Sequence, residues 1–189
     1  IQITRGVSPR DHAFPANVPP TVVMTIRELV PLLQQTRECG VIAKTCEDVR
    51  WGRCDIKSVN LLANVLARED AKQAGVFEAI LVKDGVVTEG SVSNVMAVQG
   101  GAIVTAPEGP RILSGVTRTV VLQLARQAGI PVREEFLPVE SLLSSEEVFL
   151  TGTTVEVLGV VQVDRRTIRS GRPGPITQAL AARWASLTG

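Results

Sequence analysis

The chain has 189 residues, 44% of them hydrophobic, with 20 basic and 19 acidic side chains, which suits one domain, or one domain plus a fragment, around a single sizeable core. The charges are scattered without long blocks, so there is no electrostatic footprint for nucleic acid or an anionic membrane, and the expected partner is a small molecule or a second copy of the chain. Cys39, Cys46 and Cys54 lack paired zinc spacing and the lone His12 cannot complete a metal site, so no metal is expected; the thiols read as reduced core residues of a cytoplasmic protein.

"IQITRG" alternates like a strand already under way at Ile1, which implies a missing beginning. The opening has neither the apolar stretch nor the cleavage pattern of a signal peptide, and no apolar run reaches membrane-spanning length. The proline-rich "VSPRDHAFPANVPP" reads as a loop carrying Arg10 and His12. "TVVMTIREL" is strand-like, "PLLQQTRECG" a short helix with Pro31 in its first turn and Gly40 at its end, and "VIAKTCEDVRW" extended. Ser58 is a good N-cap for a helix with Val59, Leu62, Ala63, Leu66 and Ala67 on one face, stopped by Gly75. That reading sets Lys57 directly before a helix start, where the macrodipole favours anions.

Two hairpins follow, around Asp84-Gly85 in "FEAILVKDGVVTEG" and around Gly100-Gly101 in "SNVMAVQGGAIVTA". "SGVTRTVVLQLARQAG" is a helix ended by Gly129, "IPVREEF" a strand, "VESLLSSE" helical, and "EVFLTGTT" a strand running into a turn. "EVLGVVQVDRRTI" is extended, and "PGPITQALAARWASL" closes the chain as a helix starting near Pro175. Mixed strands and helices around one sheet system give an α/β or α+β domain.

Three kinds of group then ask for one ligand. Lys57 supplies an amine able to form an imine, and Glu89 ends an apolar strand beside Gly90 with a carboxylate. Two glycine-threonine turns, "SGVTR" opening a helix and "TGTT" closing a strand, can offer backbone amides and hydroxyls to a shared phosphate. A plain cap, a solvated acid and a surface lysine are the competing readings of each taken alone. Pyridoxal 5'-phosphate needs all three together: an imine-forming amine, a carboxylate that keeps its ring nitrogen protonated, and phosphate donors.

"RCDIKSVNLLANVLA", "VTEGSVSNV", "ILSGVTR" and "TGTTVEV", in this order, resemble the fold-type-IV pyridoxal-phosphate enzymes, a group of branched-chain aminotransferases, D-amino acid aminotransferases and aminodeoxychorismate lyase. With "RGVSPRDHAFP" near the start, the likeness is closest to the D-amino acid enzymes and covers nearly the whole chain. The resemblance implies a mixed-sheet pseudo-barrel flanked by helices, with residues 1–20 ending an N-terminal domain and its connector and 21–189 forming the large cofactor domain. The family's N-terminal small domain has no counterpart here, and the chain contains no tyrosine.

By the same resemblance Lys57 is the Schiff-base lysine and Glu89 the ring-nitrogen partner. Leu113 packs on the ring, and Val116, Thr117, Gly152, Thr153 and Thr154 surround the phosphate. Arg10 and His12 match the pair that holds the substrate carboxylate, reaching the active site from the partner subunit of a homodimer; an arginine fork suits that task. Val92 stands where relatives often carry a hydroxyl, and Gly159 where a proline is common. The expected activity is transamination between a D-amino acid and a 2-oxo acid. A branched-chain L-aminotransferase, a lyase on aminodeoxychorismate, and a non-catalytic fragment or pseudoenzyme are the alternatives, and Arg10 with His12 argues against the first two.

Overall fold

The computed structural model describes residues 1–188, which form two compact units, Ile1–Pro31 and Leu32 onward. In the first unit β1 (Gln2–Thr4) pairs antiparallel with β2 (Thr21–Val23), and Arg5 stacks on Phe14 at 3.5 Å. The expected strand over 21–29 is thus shorter, ending at Val23.

The second unit is built on one mixed sheet, in which β3 (Val41–Glu47) runs parallel to β4 (Glu78–Lys83) on one side and to β11 (Glu156–Val163) on the other. From β4 the sheet continues antiparallel through β5 (Val86–Gly90) to β9 (Leu137–Pro138). From β11 it continues through β10 (Glu147–Gly152), β6 (Asn94–Gln99) and β7 (Ala102–Thr105) to a parallel edge, β8 (Val132–Glu134). Four strands therefore separate β5 from β6 along the sheet. Yet the turn 90–93 joins them directly, with Gly90 N–H donating to Ser93 O at 2.7 Å. The sheet must curl for both to hold, which agrees with the pseudo-barrel expectation.

Period-two alternation gives this sheet two apolar faces. Val95, Ala97, Val148, Leu150, Leu158 and Val160 fill one side. Met96, Val98, Phe149 and Val157 face the other, where Val121, Leu122 and Ala125 of α3 (Val116–Gln127) and Leu180 of α5 (Pro175–Thr188) cover them. Helix α2 (Leu62–Gln73) lies on β3 and β4, and the short α1 (Gln34–Cys39) and α4 (Val139–Leu143) border β11 and β9.

Both expected hairpins form with positive φ at both central residues, Asp84 (53°) with Gly85 (76°) and Gly100 (57°) with Gly101 (75°), as the strand twist requires. A third was not legible: the extended run expected over 156–168 turns at Asp164 (48°) and Arg165 (65°) and returns as β12 (Arg166–Thr167). Asp164 fits because its carboxylate takes the backbone N–H and the hydroxyl of Thr45 at 2.8 and 2.6 Å.

Three further expectations are corrected. Pro31 precedes α1 by three residues, and β3 ends at Glu47 rather than running to Trp51. The cysteines are free but none is a core residue: Cys39 is exposed, Cys46 and Cys54 half-buried. Burial, reinforced by Asp70, pushes the Cys46 thiol up to about 11. Gly159 has its own reason, since a Cβ there would lie 2.8 Å from two ring carbons of Pro173.

Candidate active site

The chain from β3 to α2 is irregular, and α2 starts later than Ser58 as cap would have it, with Leu61 at the N-cap. Ser58 instead takes the N–H of Asn60 on its hydroxyl at 3.3 Å, and Ser58 and Leu61 donate to carbonyls two residues back, local bonds that compete with helix. Lys57 is therefore an exposed residue of a tethered loop, away from the helix dipole. Before it, Cys54 N–H donates to Pro110 O at 2.8 Å; after it, the Asn64 amide of α2 donates to Ser91 O at 2.9 Å.

Glu89, near the end of β5, is buried at 5% exposure. One carboxylate oxygen accepts from the Arg50 guanidinium, and the other accepts from Asn94 Nδ2 and from Leu113 N–H, each at 3.0 Å. Asn94, the first residue of β6, also donates to Leu113 O at 2.8 Å, so one amide brackets both Glu89 and the Leu113 backbone. Arg50 holds Asp48 with two parallel bonds of 2.8 and 2.7 Å and donates to Arg111 O at 3.1 Å. The Thr88 hydroxyl, 2.8 Å from Asp48, completes the cluster.

Two carboxylates and one guanidinium, each side chain at most 7% exposed, leave this buried cluster one negative charge in excess. Burial raises the Glu89 pKa above its ordinary 4.5, offset in part by Arg50 and by the Leu113 N–H. Asp48 goes the other way: its burial is outweighed by the bonds from Arg50 and Thr88, and it falls below 3.8. The signs for stability are opposite. Asp48 contributes stability above the ordinary carboxylate range, lost as pH falls through its lowered value. Protonated Glu89 contributes stability at low pH, lost as pH rises through its raised value. Glu89→Gln is accordingly expected to flatten the decline in stability as pH rises above the ordinary carboxylate range, measured by urea unfolding; an unchanged slope would remove this contribution from Glu89.

The N-terminus of α3 closes on the same place. Gly115 leads into it, no side chain caps it, and a Cβ on Gly115 would stand 2.3 Å from Asn94 Oδ1. Thr117 is buried and Val116 exposed at this end. The turn after β10 meets the turn after β5, a Cβ on Gly152 lying 3.6 Å from Val92 O, while Thr153 and Thr154 are exposed. Thr151 is opposite Asn94 in the β10–β6 register and therefore on the same face; it is 1% exposed and its hydroxyl has no hydrogen-bond partner among the described residues.

The structure thus brings together Glu89, Leu113, Gly152 and the start of α3, with Lys57 on a loop tied at both ends to neighbouring segments. Arg10 and His12 belong to the Ile1–Pro31 unit, on its exposed connector. Sequence reading missed Asp48, Arg50, Asn94 and Thr151. For Asp48 and Arg50 the spacing of two along an extended run was a usable sign of a shared face; Asn94 and Thr151 gave no local sign.

A curled mixed sheet that carries an arginine-held carboxylate, a helix N-terminus and a glycine-threonine turn close together defines an α/β domain. The chain belongs to the amino-transferase class IV family, whose family model matches residues 1–163. It is similar to the D-alanine aminotransferases of Bacillus licheniformis, 45% identical over 94% of this chain and 62% of that protein, and of Staphylococcus haemolyticus, 43% identical over 95% and 64%. Among solved structures, the branched-chain amino acid aminotransferase of Thermobaculum terrenum in its PLP-bound holo form superposes with a TM-score of 0.74 and 27% identity, covering 83% of this chain and 53% of that one. The chain spans less than two thirds of the length of the curated relatives it matches.

Proposed function

We propose that this chain is the cofactor-binding part of a pyridoxal-phosphate-dependent transaminase that moves an amino group between a D-amino acid, such as D-alanine, and a 2-oxo acid, such as 2-oxoglutarate. The observation that carries the reading is the Asp48, Arg50 and Glu89 cluster. Its excess negative charge is completed by a cation, and Glu89 uses three of roughly four acceptor positions on its carboxylate. A protonated ring nitrogen fits the remaining one. The orphaned Thr151 hydroxyl and the amides at the start of α3 suit the polar remainder of the same ligand.

In this reading Glu89 holds the ring nitrogen, Leu113 lies against the ring, and Val116, Thr117, Gly152, Thr153 and Thr154 surround the phosphate. The bound cofactor supplies the electron sink. Lys57 would anchor it covalently, and its amine would carry the proton of the substrate α-carbon. Arg50 keeps Glu89 biased toward the carboxylate that a protonated ring nitrogen needs. Arg10 and His12 bind the substrate carboxylate, from the partner subunit of a cytoplasmic homodimer, and so fix which α-hydrogen meets Lys57.

The handedness rests on Arg10 and His12 and on identities of 41–45% to D-alanine aminotransferases, against 27–31% for branched-chain enzymes of known structure. The test uses the full-length protein loaded with pyridoxal phosphate. D-alanine is expected to bleach its visible band faster than L-leucine; the reverse preference would overturn the substrate assignment, and a protein that takes up no cofactor would overturn the enzyme reading. Arg10→Ala and His12→Ala should each raise KM for D-alanine about 10- to 100-fold, the loss of a hydrogen bond to a charged group, with cofactor content unchanged. An unaltered KM would remove the pair from the site.

A further inference from the structure

Behind Glu89 lies a second buried carboxylate that the proposed chemistry does not use. Glu78 opens β4 and is fully buried. One oxygen accepts from Ala79 N–H at 2.9 Å, from Ser91 N–H at 3.3 Å and from the Ser91 hydroxyl; the other accepts from the Ser93 hydroxyl at 2.8 Å. Ser91 and Ser93 are the inward-facing residues of the turn that connects Glu89 on β5 to Asn94 on β6. Val92 between them points outward and is 65% exposed.

The space around this carboxylate is closed. A Cβ on Gly90 would fall 2.2 Å from Ser93 Oγ and 3.1 Å from Glu78 Oε2. Arg68 of α2, stacked over Phe77, brings Nη1 to 3.8 Å from Glu78 Oε1. The turn is fixed from two further sides, through Ser91 N–H to Ala79 O at 2.9 Å and through the Asn64 amide to Ser91 O at 2.9 Å. A buried carboxylate with four donors aimed at it is a strong local constraint, because its hydrogen bonds are charge-assisted and are costly to leave unmade.

We propose that Glu78 is a positioning residue for the active site: by clamping Ser91 and Ser93 it sets the spacing of Glu89 and Asn94, the acid and the amide that together face the ring nitrogen and Leu113. This rests on the reading of Glu89 as the ring-nitrogen partner. Glu78 touches neither cofactor nor substrate. It acts through a four-residue turn, Gly90–Ser93, whose two hydroxyls it consumes, so that the tip presents only the Val92 side chain and the backbone.

The test has a cofactor-free arm and a loaded arm, both on the full-length protein. Without cofactor, Glu78→Gln and the milder Ser93→Ala should each raise amide hydrogen exchange across residues 91–94 by at least about tenfold, with α5 unchanged, as expected for local opening. Unchanged exchange in both variants would overturn the clamp whatever the cofactor does. With pyridoxal phosphate, Glu78→Gln should weaken cofactor binding about tenfold, the size of one charge-assisted hydrogen bond. In the Glu89→Gln background the same substitution should cost less than about twofold, because contacting residues in one network are non-additive. Multiplicative losses would make Glu78 a structural residue only and defeat the proposal. A wild-type protein without affinity for pyridoxal phosphate would instead defeat the functional reading, and the exchange arm would still decide the clamp.

Discussion

Replacing Arg50 with leucine is expected to destabilise the domain by about 3 to 5 kcal/mol, the cost of removing one partner from a buried ion pair. The guanidinium serves two carboxylates, bidentate to Asp48 and single to Glu89, all three side chains at most 7% exposed. Leucine fills part of the volume but leaves two anions facing each other in a poorly solvated place. Both must then take up protons, so the loss should be larger near pH 8 than near pH 5, since raised carboxylate pKa values favour the folded state only at low pH. Arg50→Lys should recover part of the stability but not the bidentate geometry, which an ammonium cannot form. Urea titrations at both pH values measure this; a loss below about 1 kcal/mol would place the cluster among solvated surface pairs.

On the proposed reading, Lys57→Ala in the full-length protein is expected to abolish the visible cofactor band, prevent borohydride fixation of label to the chain, and lower transamination by more than about 10³-fold, since that reading makes one amine both covalent anchor and proton carrier. No other lysine stands ready to replace it. Lys44 is bound to Asp70 at 2.7 Å on β3, Lys72 approaches Glu69 on α2, and Lys83 ends β4. Because Lys57 is exposed, its removal should leave the stability of the cofactor-free protein within about 0.5 kcal/mol. Loss of activity without loss of stability separates a chemical role from a structural one, and retained turnover would sink the assignment of Lys57.

The parts of the fold that could be read in advance are those where chemistry is local. Asp84-Gly85 and Gly100-Gly101 force positive φ, and Gly129 and Gly40 stop helices, because each acts on its own neighbours. The start of α2 was misjudged since Ser58 had a second local option, a turn through Asn60. The Asp164-Arg165 hairpin was hidden because its stabilising partner, Thr45, is 119 residues away. The site followed the same division. Glu89 stood out as an acid ending an apolar strand, whereas Asn94 and Thr151 acquire meaning only through a cross-strand register, and Glu78 only through a turn thirteen residues on.

The parallel position of β3 also orders events during synthesis. Its residues pair with β11 across a separation of more than one hundred positions, Val41 with Val160 and Ala43 with Val163. A chain emerging from the ribosome can form the β4–β5 hairpin and the turn that carries Glu89 early, as loop closure over short spans is cheap. Strand β3 must wait with an open edge until β11 has been made, and Thr151 reaches Asn94 only once β10 has been made. Such non-local pairing is slow and leaves an unpaired strand edge in the meantime. A ligand that needs Glu89 and the β10 turn at once therefore has no complete place to dock until β10 has joined β6.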